Sequence, residues 1–407
     1  MIKPACEGRK RPVCAVICEE ISNYHAARFD DVMARGNFEI HVIETTPNAT
    51  FKEFRVAETG NTSFHKTILG LPLSSKRNRV RMAISNTLTR LDPDVVFTPG
   101  WSMINSLAAI VWCLNARKPL VLMSDSTLQD RARQQLKEAL KRRIVAQAQV
   151  IFVAGTPHAE YVGLLGASDT QIFLGYDAID NTYFSNNAEI ARSQGDNLRR
   201  ALDLPENYFL VCVRLAKSKN ILSLLQAYAQ YHSRSATTPW HLVIVGPGAI
   251  EPNALLPYQN LLDNGNIQFV GAKNYRELPQ YYGLAEAFVL PSTTETWGLV
   301  VNEAMASGLP VVVSNRCGCA HDLVHSGKNG LIFDPYDVDQ LARCLHQVAK
   351  DKQKRASMAQ SGRNIISNWG LDRFSDGFEA AAQAALTAPD RKSSILDMLL
   401  VRLLMLR

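Results

Sequence analysis

Short apolar runs alternate with segments of helical period along almost the whole chain. This alternation narrows the fold more than any other feature. Parallel strands need crossover helices, and helices on both faces leave each strand buried on both sides. In the first half the expected strands span residues 13–18, 39–43, 95–98, 120–123, 150–153 and 171–174. Helical segments such as 26–35, 80–91 and 136–146 lie between them, and Asp92-Pro93-Asp94 stops the second just ahead of its strand. The second half repeats the pattern with strands at 208–213, 242–245, 267–270, 287–290, 311–314 and 331–333. Between residues 180 and 205 the rhythm weakens into a polar stretch, and 407 residues exceed one ordinary core. The expectation is an α/β chain of two Rossmann-like domains joined by a linker and facing each other across a cleft at their strand C-termini. The domains would be residues 1–185 and 186–375, followed by a helical tail at 376–407.

Composition excludes several classes. A content of 46% hydrophobic and 20% charged residues suits a globular protein, with no disordered block or repeat. No stretch reaches the length of a membrane-spanning helix, and the apolar run at 13–18 is too short and too close to acids for a signal peptide. Most of the eight cysteines sit in apolar, strand-like runs, as reduced thiols of a cytoplasmic enzyme would. The net charge of +6 gathers partly at residues 76–81 and 141–143. These clusters read as solvated helix faces, or as a surface for an anionic acceptor or a membrane. Nucleic acid is not an expected partner, because no aromatic or groove-reading motif accompanies the charge. Cys317, Cys319, His321 and His325 resemble a metal-ligand string, but the one-residue gap is tighter than zinc spacing and Gly318 points to a turn. No metal is expected. The apolar residues 394–407 suit packing on the body, self-association, or an interfacial anchor.

Three stretches carry chemistry. RLAKSKN follows the first strand of the second half and places Arg214 and Lys219 in a βα loop, where α/β folds bind ligands. Two such cations suit a diphosphate, with Lys217 the more solvated neighbour. HLVIVGPG ends a strand at Gly246, where a glycine permits close approach of a ligand or simply ends the strand. In ETWGLVVNEAMASGLPVVVS, Glu295 stands in a loop and Glu303 on the following helix, which begins near Trp297-Gly298. The unpaired N–H groups and positive dipole end of that first turn attract phosphate oxygens. The two acids suit the two ends of a nucleotide sugar, or equally a dipole-complementing acid and an ordinary surface glutamate.

These residues together resemble the retaining GT-B glycosyltransferases of glycosyltransferase family 4. The likeness rests on two glutamates separated by seven residues within ETWGLVVNEAMASGLPVVVS, the cations of RLAKSKN, and IQFVGAKNYRELPQYYGLAEAFVLPS, which is similar to the segment seating the nucleobase. It is specific over residues 208–335 and architectural before that. The resemblance implies that residues 1–185 bind the acceptor and 186–375 the nucleotide sugar. It implies that Arg214 and Lys219 hold the donor diphosphate, that Glu303 binds the ribose, and that Glu295 meets the sugar with the backbone of Thr296, Trp297, Gly298 and Leu299. Val270 to Lys273 would lie beside the base. Where many relatives carry a histidine after the strand at 120–123, this chain has Asp125 by spacing, and Glu19 to His25 replace a glycine-rich loop. His25 and His158, taken as loop residues, are weaker candidates for contacting the acceptor.

The implied activity is retaining transfer of a sugar from a UDP- or GDP-sugar to a hydroxyl of a glycan or lipid-linked acceptor, in cell-surface polysaccharide or glycoconjugate synthesis. It needs no metal or other cofactor, and the enzyme would be cytoplasmic, with peripheral contact at the inner membrane face. A nucleotide-sugar epimerase or hydrolase of the same fold would use the same pocket without an acceptor. A non-catalytic binding protein would not need both the paired acids and the paired cations.

Overall fold

The computed structural model describes residues 11–45, 62–71, 77–389 and 401. Residues 1–10, Lys76 and, Val401 apart, the apolar segment 394–407 lie outside the described residues. The chain divides into two compact units, one of Met1–Leu128, Ala132–Ala178 and Leu371–Arg407, the other of Ile179–Gly370 with Gln129–Arg131.

The first unit is built on a parallel sheet of β1 (Val13–Cys18), β2 (Glu39–Glu44), β3 (His65–Ile68), β4 (Val95–Pro99), β5 (Leu120–Ser124), β6 (Val150–Val153) and β7 (Ile172–Leu174). Its order is β3-β2-β1-β4-β5-β6-β7. Six of these strands fall where the apolar runs put them. β3 was not anticipated, because His65-Lys66-Thr67-Ile68 is polar and largely exposed and pairs only as an edge strand on β2. One face of the sheet buries Val16, Phe97 and Phe152 beneath the helices Asn23–Arg35 and Leu371–Thr387. The other is covered by Arg77–Leu91, Ile104–Ala116 and Thr156–Leu164.

The second unit has the parallel strands β8 (Tyr208–Cys212), β9 (His241–Val245), β10 (Ile267–Gly271), β11 (Ala287–Leu290), β12 (Val311–Ser314) and β13 (Gly330–Phe333). Their order is β10-β9-β8-β11-β12-β13. Each sheet reverses its direction of winding once, between β1 and β4 and between β8 and β11. The loops leaving the two strands at such a switch point diverge and open a crevice at the strand C-termini. The two parallel sheets with their covering helices give the expected GT-B class, two Rossmann-like α/β units.

Two segments depart from the expected organisation. The polar stretch taken as a linker is mostly the helix Asn181–Ala201, interrupted at Gly195 (φ 48°, ψ −123°). Its buried face is only Phe184, Ala188 and Ala191, at spacings of four and three, so polar residues dominate its sequence. The division between units therefore falls at Ala178/Ile179 and not near residue 185. The helix Leu371–Thr387, assigned partly to the second domain and partly to a tail, returns to the first unit. Its apolar stripe of Phe374, Phe378, Ala381 and Ala385 is at most 1% exposed. Phe378 stacks on Phe97 with ring centroids 4.0 Å apart, and a side chain at Gly377 would lie 2.2 Å from the Leu174 carbonyl.

Candidate functional site

At the switch point of the second unit, β8 leads into Arg214, which is exposed. The backbone here is set by the neighbouring strand end. Val213 N–H donates to the Val245 carbonyl at 2.9 Å and Leu215 N–H to that of Pro247 at 2.8 Å. Gly246 has φ 142°, and a Cβ there would stand 1.9 Å from the Val213 oxygen. Its glycine is thus required by backbone packing beside Arg214, whatever a ligand does. The loop then forms a 3-10 turn at Lys217–Lys219 and reverses at Asn220 (φ 56°), whose side-chain amide donates to the Pro335 carbonyl at 2.9 Å. Lys217 is exposed, whereas the Lys219 side chain is 13% exposed.

The loop leaving β11 is tied to this turn. Thr293 donates its N–H to the Ser218 carbonyl at 2.8 Å, and Lys219 Nζ donates to the Glu295 carboxylate, itself 17% exposed. Ser292 Oγ approaches the same oxygen at 3.4 Å. From the other side the loop after β12 pins the backbone: Glu295 N–H donates to Arg316, while Gly318 and Cys319 donate to the carbonyls of Glu295 and Trp297. Cys317 and Cys319 are buried within this brace. Burial and the Glu295 charge push their thiols well up, which keeps them protonated. Among the described residues no group of three His, Cys, Asp or Glu is placed to hold a metal ion.

Gly298 (φ 105°) ends the loop and caps the helix Leu299–Ala306 without a side-chain acceptor. An uncapped first turn offers N–H groups that lack intrahelical partners. Its glycine is needed for its left-handed backbone and because a Cβ would press on Leu290, Glu295 and Cys319 at 3.2–3.4 Å. The Trp297 side chain faces away from any solvent-borne ligand: it is 2% exposed, donates to Asn302 Oδ1 at 3.0 Å and stacks on Trp369. At Trp297 only the main chain is therefore suited to a ligand.

Glu303 is not a helix-surface acid. It is fully buried and accepts a hydrogen bond of 2.6 Å from the Tyr282 hydroxyl. Sequence reasoning missed Tyr282. Val270 lies at the end of β10, and Lys273 just beyond it, with Nζ 5.7 Å from the Tyr281 ring centre.

The first unit carries the remaining candidates. Asp125 follows β5 and is half-buried. His25 lies in the first turn of its helix and not in a loop: its Nδ1 accepts the Ser22 N–H at 3.2 Å, and its own N–H donates to Ser22 Oγ at 3.4 Å. Burial and the Arg28 guanidinium push its pKa down to about 3, so it is neutral near pH 7 and a weak base. His158 is also helical, within Thr156–Leu164, and is fully buried. The structure thus places neither histidine in the open loop expected for contact with an acceptor.

Residues 196–365 match the family model of glycosyl transferases group 1. Among curated proteins the chain is similar to the D-inositol 3-phosphate glycosyltransferase of Thermobifida fusca, 29% identical over 56% of this chain and 53% of the relative. It is also similar to the GDP-mannose-dependent alpha-(1-6)-phosphatidylinositol monomannoside mannosyltransferase of Mycolicibacterium smegmatis, 28% identical over 62% of this chain and 65% of that protein. The matches thus span between half and two thirds of these relatives' lengths. Among solved structures, Anabaena Alr3699/HepE in complex with UDP and glucose shares the fold, with a TM-score of 0.70, 17% identity, and coverage of 91% of this chain and 98% of that one.

Proposed function

We propose that this chain is a retaining glycosyltransferase that moves a sugar from a nucleoside diphosphate donor to a hydroxyl of a glycan or lipid-linked acceptor. The observation that carries the reading is the convergence of Arg214, Lys219, Glu295 and the uncapped turn at Gly298 at one switch-point crevice. An incoming diphosphate would take over the Lys219 charge now held by Glu295, which frees that carboxylate for the hydroxyls of the sugar. As the bond from the anomeric carbon to the β-phosphate oxygen breaks, Arg214, Lys219 and the helix N–H groups face the growing negative charge without rearranging. The acceptor oxygen forms the new bond on the same face, and its proton passes to the departing phosphate. Glu303, enclosed beside Tyr282, is assigned to the ribose.

A uridine or guanosine donor is supported by two named neighbours, one solved with UDP and one described as GDP-mannose-dependent. The inositol-based acceptors in the names of both curated relatives support a lipid-linked or phosphorylated acceptor, reached at the inner membrane face. Among the described residues no helix is long and apolar enough to cross a membrane. The test is calorimetry of the full chain with uridine, guanosine and adenosine diphosphate sugars. One nucleotide should bind in the micromolar range, about −8 kcal/mol, and support transfer once an acceptor is added. Failure of all three to bind would sink the reading.

A further inference from the structure

The Tyr282 hydroxyl has no role in the transfer as described, yet it is held with unusual care. The helix Leu278–Leu284 packs on the helix Asn181–Ala201 so closely that a side chain at Gly283 would lie 2.5 Å from the Ala188 carbonyl and 2.9 Å from the Ala191 methyl. That contact fixes the residue just before it. The Tyr282 ring is fully buried between Phe184, which it meets edge-on at 6.0 Å, and Phe288 of β11 at 5.8 Å. From this wedge the hydroxyl reaches across to Glu303 Oε2 at 2.6 Å. The Cys212 thiol, at the end of β8 and two residues ahead of Arg214, senses both groups. Burial and the Glu303 charge push it up, and a hydrogen bond with Tyr282 opposes them. Three elements of the second unit therefore meet on one carboxylate.

We propose that Tyr282 is a positioning residue for donor binding, fixing the Glu303 carboxylate in the orientation that receives the ribose hydroxyls. This rests on the donor-binding reading above. A carboxylate on a helix has several rotamers, and a charge-assisted bond from a rigid phenol selects one of them. Removing that donor leaves the carboxylate in place without the bond that orients Oε2, so the loss should appear in nucleotide affinity and specifically in the part of it that the ribose diol contributes.

Tyr282→Phe keeps the ring between Phe184 and Phe288 and should still fold, with a melting temperature lowered by the lost hydrogen bond to the buried carboxylate. Calorimetry is run on both proteins with uridine and guanosine diphosphates, and with the 2′,3′-dideoxy analogue of whichever binds. The variant should bind the diphosphate about five- to tenfold more weakly. The penalty for deleting the diol should also be smaller in the variant than in the parent, since the two changes remove parts of one interaction. Equal affinity, or an unchanged diol penalty, overturns the inference and reduces Tyr282 to a packing residue. If the unmodified chain binds neither diphosphate, the donor reading itself falls.

Discussion

The two Rossmann-like units share a topology, and each sheet changes its direction of winding once, but the loops at those points carry different chemistry. In the second unit the strand ends present Arg214, Lys217 and Lys219 with Glu295 set among them. In the first, β1 runs into Glu19-Glu20, and the end of β2 buries Glu44, which accepts the Ile21 N–H at 2.9 Å and pairs with Lys66 at 3.3 Å. Burial and the adjacent Glu20 raise the Glu19 carboxyl. One rim gathers cations around a single acid, and the other gathers acids, one of them tied to its own backbone and to Lys66. The fold alone assigns no task; the side chains on the loops do.

Three experiments test that contrast. The largest effect is expected from Arg214→Ala. Arg214 is exposed, so the melting temperature should hold, while kcat/KM with the donor that binds falls about 10²- to 10³-fold. Steady-state kinetics within about twofold of the parent would make the cationic rim incidental. Next comes Gly246→Ala, which forces a Cβ against the Val213 oxygen at a φ of 142°. We expect about 2–3 kcal/mol of lost stability in urea denaturation without any nucleotide present. Unchanged stability with weakened nucleotide binding would instead make Gly246 a ligand contact.

The smallest effect concerns the first unit's His25. With its folded pKa depressed from 6.5 to about 3, the unfolded chain takes up a proton in that window while the folded chain does not. Stability contributed by the neutral ring is therefore lost as pH falls from 6.5 toward 3. Protonation would also deprive the Ser22 N–H of its Nδ1 acceptor. His25→Gln, which can still cap the Ser22 N–H, should lessen the fall in melting temperature between neutral and acid pH. Identical falls in both proteins would return His25 to the list of groups free to act on a substrate.

Much of this was legible in the sequence, for identifiable reasons. Strands buried on both faces read as apolar runs, so β1, β6, β11 and β12 have the bounds expected for them. Charged residues just past a strand end stand out against such runs, which is why Arg214, Lys219 and Glu295 were visible. Edge strand β3 and the helix Asn181–Ala201 were not, because each presents mostly polar surface and its pattern is set by what lies on one side of it. The spacing of Phe184, Ala188 and Ala191 and the N-cap Asp180 were the signals available for that helix. Nothing in QYYGL separates Tyr282 from Tyr281; only the packing of Gly283 decides which hydroxyl meets Glu303.

The return of Leu371–Thr387 to the first sheet has a consequence for the order of events during synthesis. Almost all of the second unit is a continuous stretch, Ile179–Gly370, available as soon as it leaves the ribosome. The first unit is not. Phe97 and Phe152 lack the partners Phe374 and Phe378 until all of Ile179–Gly370 has been made. Until then the part of that face not covered by the helix Asn23–Arg35 is exposed apolar surface, the kind on which nascent chains aggregate or recruit chaperones. The half that is made first is the half that is finished last.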